Sequence, residues 1–185
     1  MTLFTIVWVI WCSSEVLLNL MIRSGSTDKK NQDKGSLRFI WIMIALAISL
    51  GIIFSYNIKM PIINGLLISY LGLIIIIIGM LIRFISIWTL GKYFTVDVTI
   101  REEHKIKQDG FYKIVRHPSY SGSLLSFLGF GISLNNWTSL VVVMFLVVIS
   151  MLYRIKIEEK ILTAHFGNTY EDYMKKTYRL IPFIY

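Results

Sequence analysis

Cysteine is nearly absent. The 185-residue chain has one, Cys12, which excludes an internal disulfide framework and a zinc site of clustered cysteines. Three histidines, at 104, 117 and 165, leave little material for any other metal site, and none is expected. Charge is thin as well: Asp, Glu, Lys and Arg make up 16% of the chain, against about 25% in soluble domains. Disorder needs the opposite balance, poor in apolar residues and rich in charge. What is abundant is apolar side chain, 55% by AVILMFWYC, more than a core of this size can hide. The length suits one domain. The bilayer is the expected solvent.

Crossing the hydrocarbon takes about 20 apolar residues in a helix. Residues 3–22, 39–56 and 62–82 qualify. Residues 120–134 and 137–153 follow, broken by Asn135-Asn136. Each is short for a span, yet together they exceed one helix, and Asn tolerates turn geometry. An all-α integral membrane bundle of about five helices is expected, with a cytoplasmic C-terminal region. The first helix has no preceding Lys or Arg and no evident cleavage site, so it reads as a retained span rather than a signal peptide.

The net charge of +8 raises nucleic acid as a partner, and its placement argues against it. Of 19 Lys and Arg, all but Lys59 and Arg83 fall between helices one and two, between three and four, or after five. Those segments share one side of a five-helix topology. This is the positive-inside pattern, with the N-terminus outside and the C-terminus cytoplasmic. Attraction to anionic headgroups follows from the same residues.

Residues 1–78 hold two helices and most of a third, while 79–185 hold most of the chemistry-bearing side chains. Residues 24–36 read as a flexible loop without evident chemistry. Residues 92–118 mix Tyr93, Phe94, Val96 and Ile100 with charge and can pack. Helix five is expected to continue past the membrane through Ile157 and Ile161 to a stop at Gly167. A short amphipathic helix over Tyr170, Tyr173 and Met174 comes next.

Gly129-Phe130-Gly131 invites a dinucleotide fingerprint, but no strand precedes it and no third glycine or later acid completes it. Gly122, Ser126, Gly129 and Ser133 instead form a small-residue stripe for close helix approach. Glu15 and Asn19 share a face of helix one, where helix-to-helix hydrogen bonding is the plain reading. Arg83 can snorkel from the end of helix three, and a pair with Glu15 is possible at matching depth. Arg116-His117-Pro118-Ser119-Tyr120 opens helix four, with Pro118 in the first turn and free N–H groups nearby for an anion. Arg116 as interfacial anchor and Tyr120 as aromatic-belt residue is the competing reading. Arg154 and Glu158 are four apart on one face. They form either a solvated pair or a guanidinium clamp for a carboxylate, with an acid beside it.

Taken together, Gly91-Lys92-Tyr93-Phe94, His104, Gly110-Phe111-Tyr112, Arg116 to Tyr120, Arg154 with Glu158-Glu159, Phe166-Gly167, Tyr170, Tyr173 and Leu180-Ile181-Pro182 resemble the isoprenylcysteine carboxyl methyltransferase family. The resemblance runs from about residue 79 to the end. It implies an integral-membrane enzyme that uses S-adenosylmethionine. In that family the tetrapeptide found here as His104-Lys105-Ile106-Lys107 lines the cofactor site, as do Tyr112 and the segment His117, Pro118, Ser119 and Tyr120. The resemblance also implies that Arg154 engages the substrate carboxylate and Glu158 the cofactor. In some members a polar residue at the position of Asp97 contributes.

The implied chemistry is economical. A carboxylate is ionised at neutral pH and needs no general base, unlike an amine or hydroxyl acceptor. The expected substrate is a prenylcysteine-like or other lipophilic acid entering from the bilayer. A phospholipid N-methyltransferase is the near rival, although an arginine at the acceptor would repel an amine. An NADPH-dependent membrane reductase and a non-enzymatic lipid-binding protein are rivals of other classes. Short loops and compact length point to a prokaryotic inner or plasma membrane. Oligomeric state is open.

Overall fold

The computed structural model describes residues 2–21, 35–91 and 106–184. Six α-helices follow in order: α1 Leu3–Met21, α2 Ser36–Asn57, α3 Leu67–Leu90, α4 Pro118–Ser133, α5 Trp137–Phe166 and α6 Asn168–Lys176. A 3-10 turn, Gly110–Lys113, precedes α4. No strand occurs among the described residues, only one isolated parallel bridge, Val115 to Tyr178.

Four helices, α1, α2, α3 and α5, are long and apolar enough to cross a membrane. α4 has 16 residues and rises about 24 Å at 1.5 Å per residue, short of the ~30 Å hydrocarbon core. It packs along α3, while α2 packs along α5.

The α3–α4 contact is backbone to backbone. A Cβ placed on Gly122 would lie 2.6 Å from the Arg83 amide nitrogen, and one on Gly129 2.6 Å from the Gly72 carbonyl oxygen. Ser126 donates across the seam to the Ile76 carbonyl at 3.2 Å. The small-residue stripe thus does what its spacing predicts. The core beside it joins Ile76, Phe127, Phe130, Val143, Val147 and Met151, with Trp11 of α1 set edge-on to Phe127 at 4.8 Å.

Helix three differs most from its expected bounds, beginning five residues later and running eight further. The later start follows from the Asn135-Asn136 corner. Asn135 adopts φ 47 and its Oδ1 accepts from the Ile62 and Ile63 amides at 3.1 and 3.2 Å, which holds that stretch out of the helix. Asn136 caps α5 by accepting from the Ser139 amide at 3.0 Å. At the other end α5 runs unbroken to Phe166 and stops at Gly167, whose φ of 54 favours glycine. Arg83 consequently lies well inside α3, not at its end.

Candidate active site

Pro118 opens α4, so the backbone reverses at His117 immediately before it. The C-terminal segment runs beside that reversal. Arg116 N–H donates to the Tyr178 carbonyl at 2.7 Å and His117 N–H to the Arg179 carbonyl at 3.2 Å. His117 is buried, its ring held between two acids of α5: Nε2 is 3.4 Å from Glu159 Oε1 and Nδ1 is 3.8 Å from Glu158 Oε1. One turn into α4, the Tyr120 hydroxyl donates to Glu158 Oε2 at 3.0 Å. Arg154, four residues before Glu158 on α5, lies close to that same hydroxyl.

Arg154 is 2% exposed, so the solvated-pair reading of Arg154 and Glu158 is corrected. Its Nη1 donates to Ser36 Oγ at 2.5 Å. Glu158 is the open member of the cluster: its side chain is 29% exposed, against 3% for His117. Tyr112 is buried, donates to the Ser86 carbonyl at 3.3 Å and accepts from Tyr173 at its own carbonyl. Burial, with the Glu158 charge behind it, pushes the Tyr112 and Tyr170 phenols up, and burial raises Tyr173. All three stay neutral hydroxyls at physiological pH.

Arg116 serves neither as interfacial anchor nor as open anion site. Its Nε reaches Glu159 Oε1 at 3.0 Å, and its Nη1 donates to the Met174 carbonyl at 2.9 Å and to the Thr177 carbonyl. Arg179 closes on the same acid, Nη2 to Oε2 at 2.8 Å. Glu159 therefore clasps α4, α5 and the C-terminal segment together. Sequence reasoning gave no role to Glu159 or Arg179; the paired acids at 158 and 159 were the available signal, and a lone arginine in a tail gives none.

His104, Lys105 and Asp97 lie outside the described residues. Ile106 is half-buried, and Lys107 pairs at the surface with Asp109 at 3.0 Å. Among the described residues no hydrogen bond or ion pair joins either to Glu158 or Tyr120. The structure thus brings together His117, Tyr120, Arg154 and Glu158, with Ser119 beside Tyr120 in the same turn. Among the described residues no group of His, Cys, Asp or Glu could hold a metal.

Known proteins place this arrangement. A rice protein (Oryza sativa subsp. indica) named "Probable protein-S-isoprenylcysteine O-methyltransferase" is 36% identical over 63% of this chain and 62% of its own length. The protein-S-isoprenylcysteine O-methyltransferase of Saccharomyces cerevisiae is 34% identical over 71% of this chain and 54% of its own. A solved structure of the eukaryotic intramembrane Ras methyltransferase ICMT superposes with a TM-score of 0.65 at 29% identity, covering 78% of this chain and 52% of that one. The chain thus spans little more than half the length of these relatives. The model of the isoprenylcysteine carboxyl methyltransferase (ICMT) family matches residues 71–164, more than half of the sequence, and the match includes Arg116, His117, Arg154, Glu158 and Glu159. With its apolar helices and that match, the chain is an integral multi-pass membrane protein and belongs to the isoprenylcysteine carboxyl methyltransferase family.

Proposed function

We propose that the chain is a carboxyl O-methyltransferase that takes its methyl group from S-adenosylmethionine and delivers it to a prenylcysteine-like or other lipophilic acid. The observation that carries this is the contiguity of Arg154, Tyr120 and Glu158, a buried guanidinium linked through one hydroxyl to a partly open carboxylate.

The residues fit the donor. Glu158 Oε1 lies 3.8 Å from His117 Nδ1, beyond hydrogen-bond range, and its side chain is 29% exposed, so it can accept from an amino or ribose hydroxyl group. Tyr120 and Tyr112 offer neutral ring faces of the kind a sulfonium favours. When bound, that donor supplies a methyl group open to in-line displacement. Arg154 would fix the acceptor carboxylate by paired N–H donors. No residue need act as base, because the acceptor is already an anion, and alignment carries most of the gain. His104, Lys105, Ile106 and Lys107 complete the donor site in this reading.

Residues 79–185 are the catalytic unit of this proposal and residues 1–78 its membrane anchor. With α4 counted as a fifth crossing beside the four long helices, the basic segments favour the cytoplasmic side for that unit and the outside for the N-terminus; the membrane in this reading is a prokaryotic inner or plasma membrane. The lipid tail then enters sideways from the bilayer.

The test is to incubate membranes carrying the protein with methyl-labelled S-adenosylmethionine and three acceptors: a farnesylated cysteine analogue, phosphatidylethanolamine and methanethiol. The thiol belongs in the set because a methanethiol S-methyltransferase of Crocosphaera subtropica is 40% identical over 43% of this chain and 30% of its own. Label in the lipid extract that alkali releases as methanol, and that falls roughly tenfold or more in Arg154→Ala through loss of charge-assisted hydrogen bonds, is expected. Alkali-stable label alone would end the ester reading.

A further inference from the structure

α1 is the least buried of the four long helices, yet it carries a carboxylate into the bundle. Glu15 Oε1 lies 2.6 Å from Arg83 Nε, with both side chains 16% exposed. The Nε–H is not aimed at that oxygen, so the contact is Coulombic rather than a hydrogen bond. The rest of the guanidinium is directed elsewhere: Nη1 donates to the Ser119 carbonyl at 3.2 Å and to Ser119 Oγ at 3.0 Å. Ser119 sits between Pro118 and Tyr120, in the first turn of α4. The Arg83 backbone meets Gly122 where the two helices touch, so the side chain leaves from the seam itself.

We propose that Arg83 is a positioning residue of the methyl-donor site and that Glu15 is its counter-ion. The proposal rests on the functional reading above. Two bonds from one nitrogen, to the main chain and the side chain of one residue, fix both the place and the rotation of the first turn. His117 and Tyr120 both project from that turn toward Glu158, at 3.8 and 3.0 Å. A turn free to rotate would take the Tyr120 hydroxyl off the carboxylate. An intramembrane guanidinium is costly without an opposite charge, and Glu15 supplies it from outside the stretch the family model matches. The least buried long helix thereby becomes part of the site.

The test uses the purified full chain in detergent and S-adenosylhomocysteine as the probe. Glu15→Gln/Arg83→Met removes both charges and leaves neither unpaired, so its thermal midpoint should stay near wild type. Its affinity for the probe should fall roughly tenfold, as loss of a charge-assisted hydrogen bond implies, with acceptor KM unchanged. Affinity within twofold of wild type at an unchanged midpoint overturns the proposal. A cycle of Arg83→Lys with Ser119→Ala guards against misfolding of the first variant. Non-additive losses of affinity support action through Ser119, and additive ones overturn it. Wild-type protein that fails to bind the probe at all defeats the functional reading, a result separable from the other two.

Discussion

Arg154 reaches across 118 positions of sequence to Ser36, the first residue of α2 and fully buried. A guanidinium can rotate about its long stem, and a fixed acceptor on Nη1 restricts that rotation and so sets the orientation of the group. Ser36→Ala should therefore raise acceptor KM by roughly tenfold, the worth of a charge-assisted hydrogen bond, and leave S-adenosylhomocysteine affinity alone. Steady-state kinetics with the farnesylated acceptor would show it, and an unchanged KM would remove Ser36 from the site. His117, Tyr120, Arg154 and Glu158 were legible beforehand because each is a side chain with chemistry, set at helical or motif spacing. Ser36 was not. A serine ending a polar loop carries no pattern, and its importance arises only when folding sets it beside Arg154. Glu15 and Arg83 were half legible: their cost in a membrane marks them, but their partnership depends on helix three running further than its hydropathy suggests.

At the scale of the helix, the α3–α4 seam decides whether the site forms, since α4 carries His117 and Tyr120 and α3 carries Arg83. Association of apolar helices in lipid gains little from hydrophobicity and depends on close packing. Gly129→Ala puts a methyl group 2.6 Å from both the Gly72 carbonyl oxygen and the Ile76 amide, two backbone atoms that cannot step aside. A loss of about 1–3 kcal/mol, the usual penalty of overpacking, is expected in unfolding from detergent micelles. Full stability would mean that the helices stand further apart. The stripe could be read from spacing alone. The bounds of α3 could not, because the Asn135 side chain, some 70 residues distant, holds Ile62 and Ile63 in a non-helical turn.

The whole molecule joins three separated stretches at one level: the turn before α4, the far half of α5, and the C-terminal segment bound through Glu159 to Arg116 and Arg179. Composition made the multi-pass architecture readable, since 55% apolar side chain has few other uses in so short a chain. How the distant pieces meet was beyond it. α5 is one rod of 30 residues, about 45 Å long at 1.5 Å per residue, and it is half as long again as the ~30 Å it has to cross. Arg154 and Glu158 ride on its far half, while their partner Tyr120 rides on the much shorter α4. A thicker or thinner lipid layer tilts a long rod and a short one by different amounts. Methyl transfer, if it proceeds as proposed, should therefore peak at one thickness in vesicles of graded acyl length and fall on either side, making the protein a gauge of the membrane that houses it.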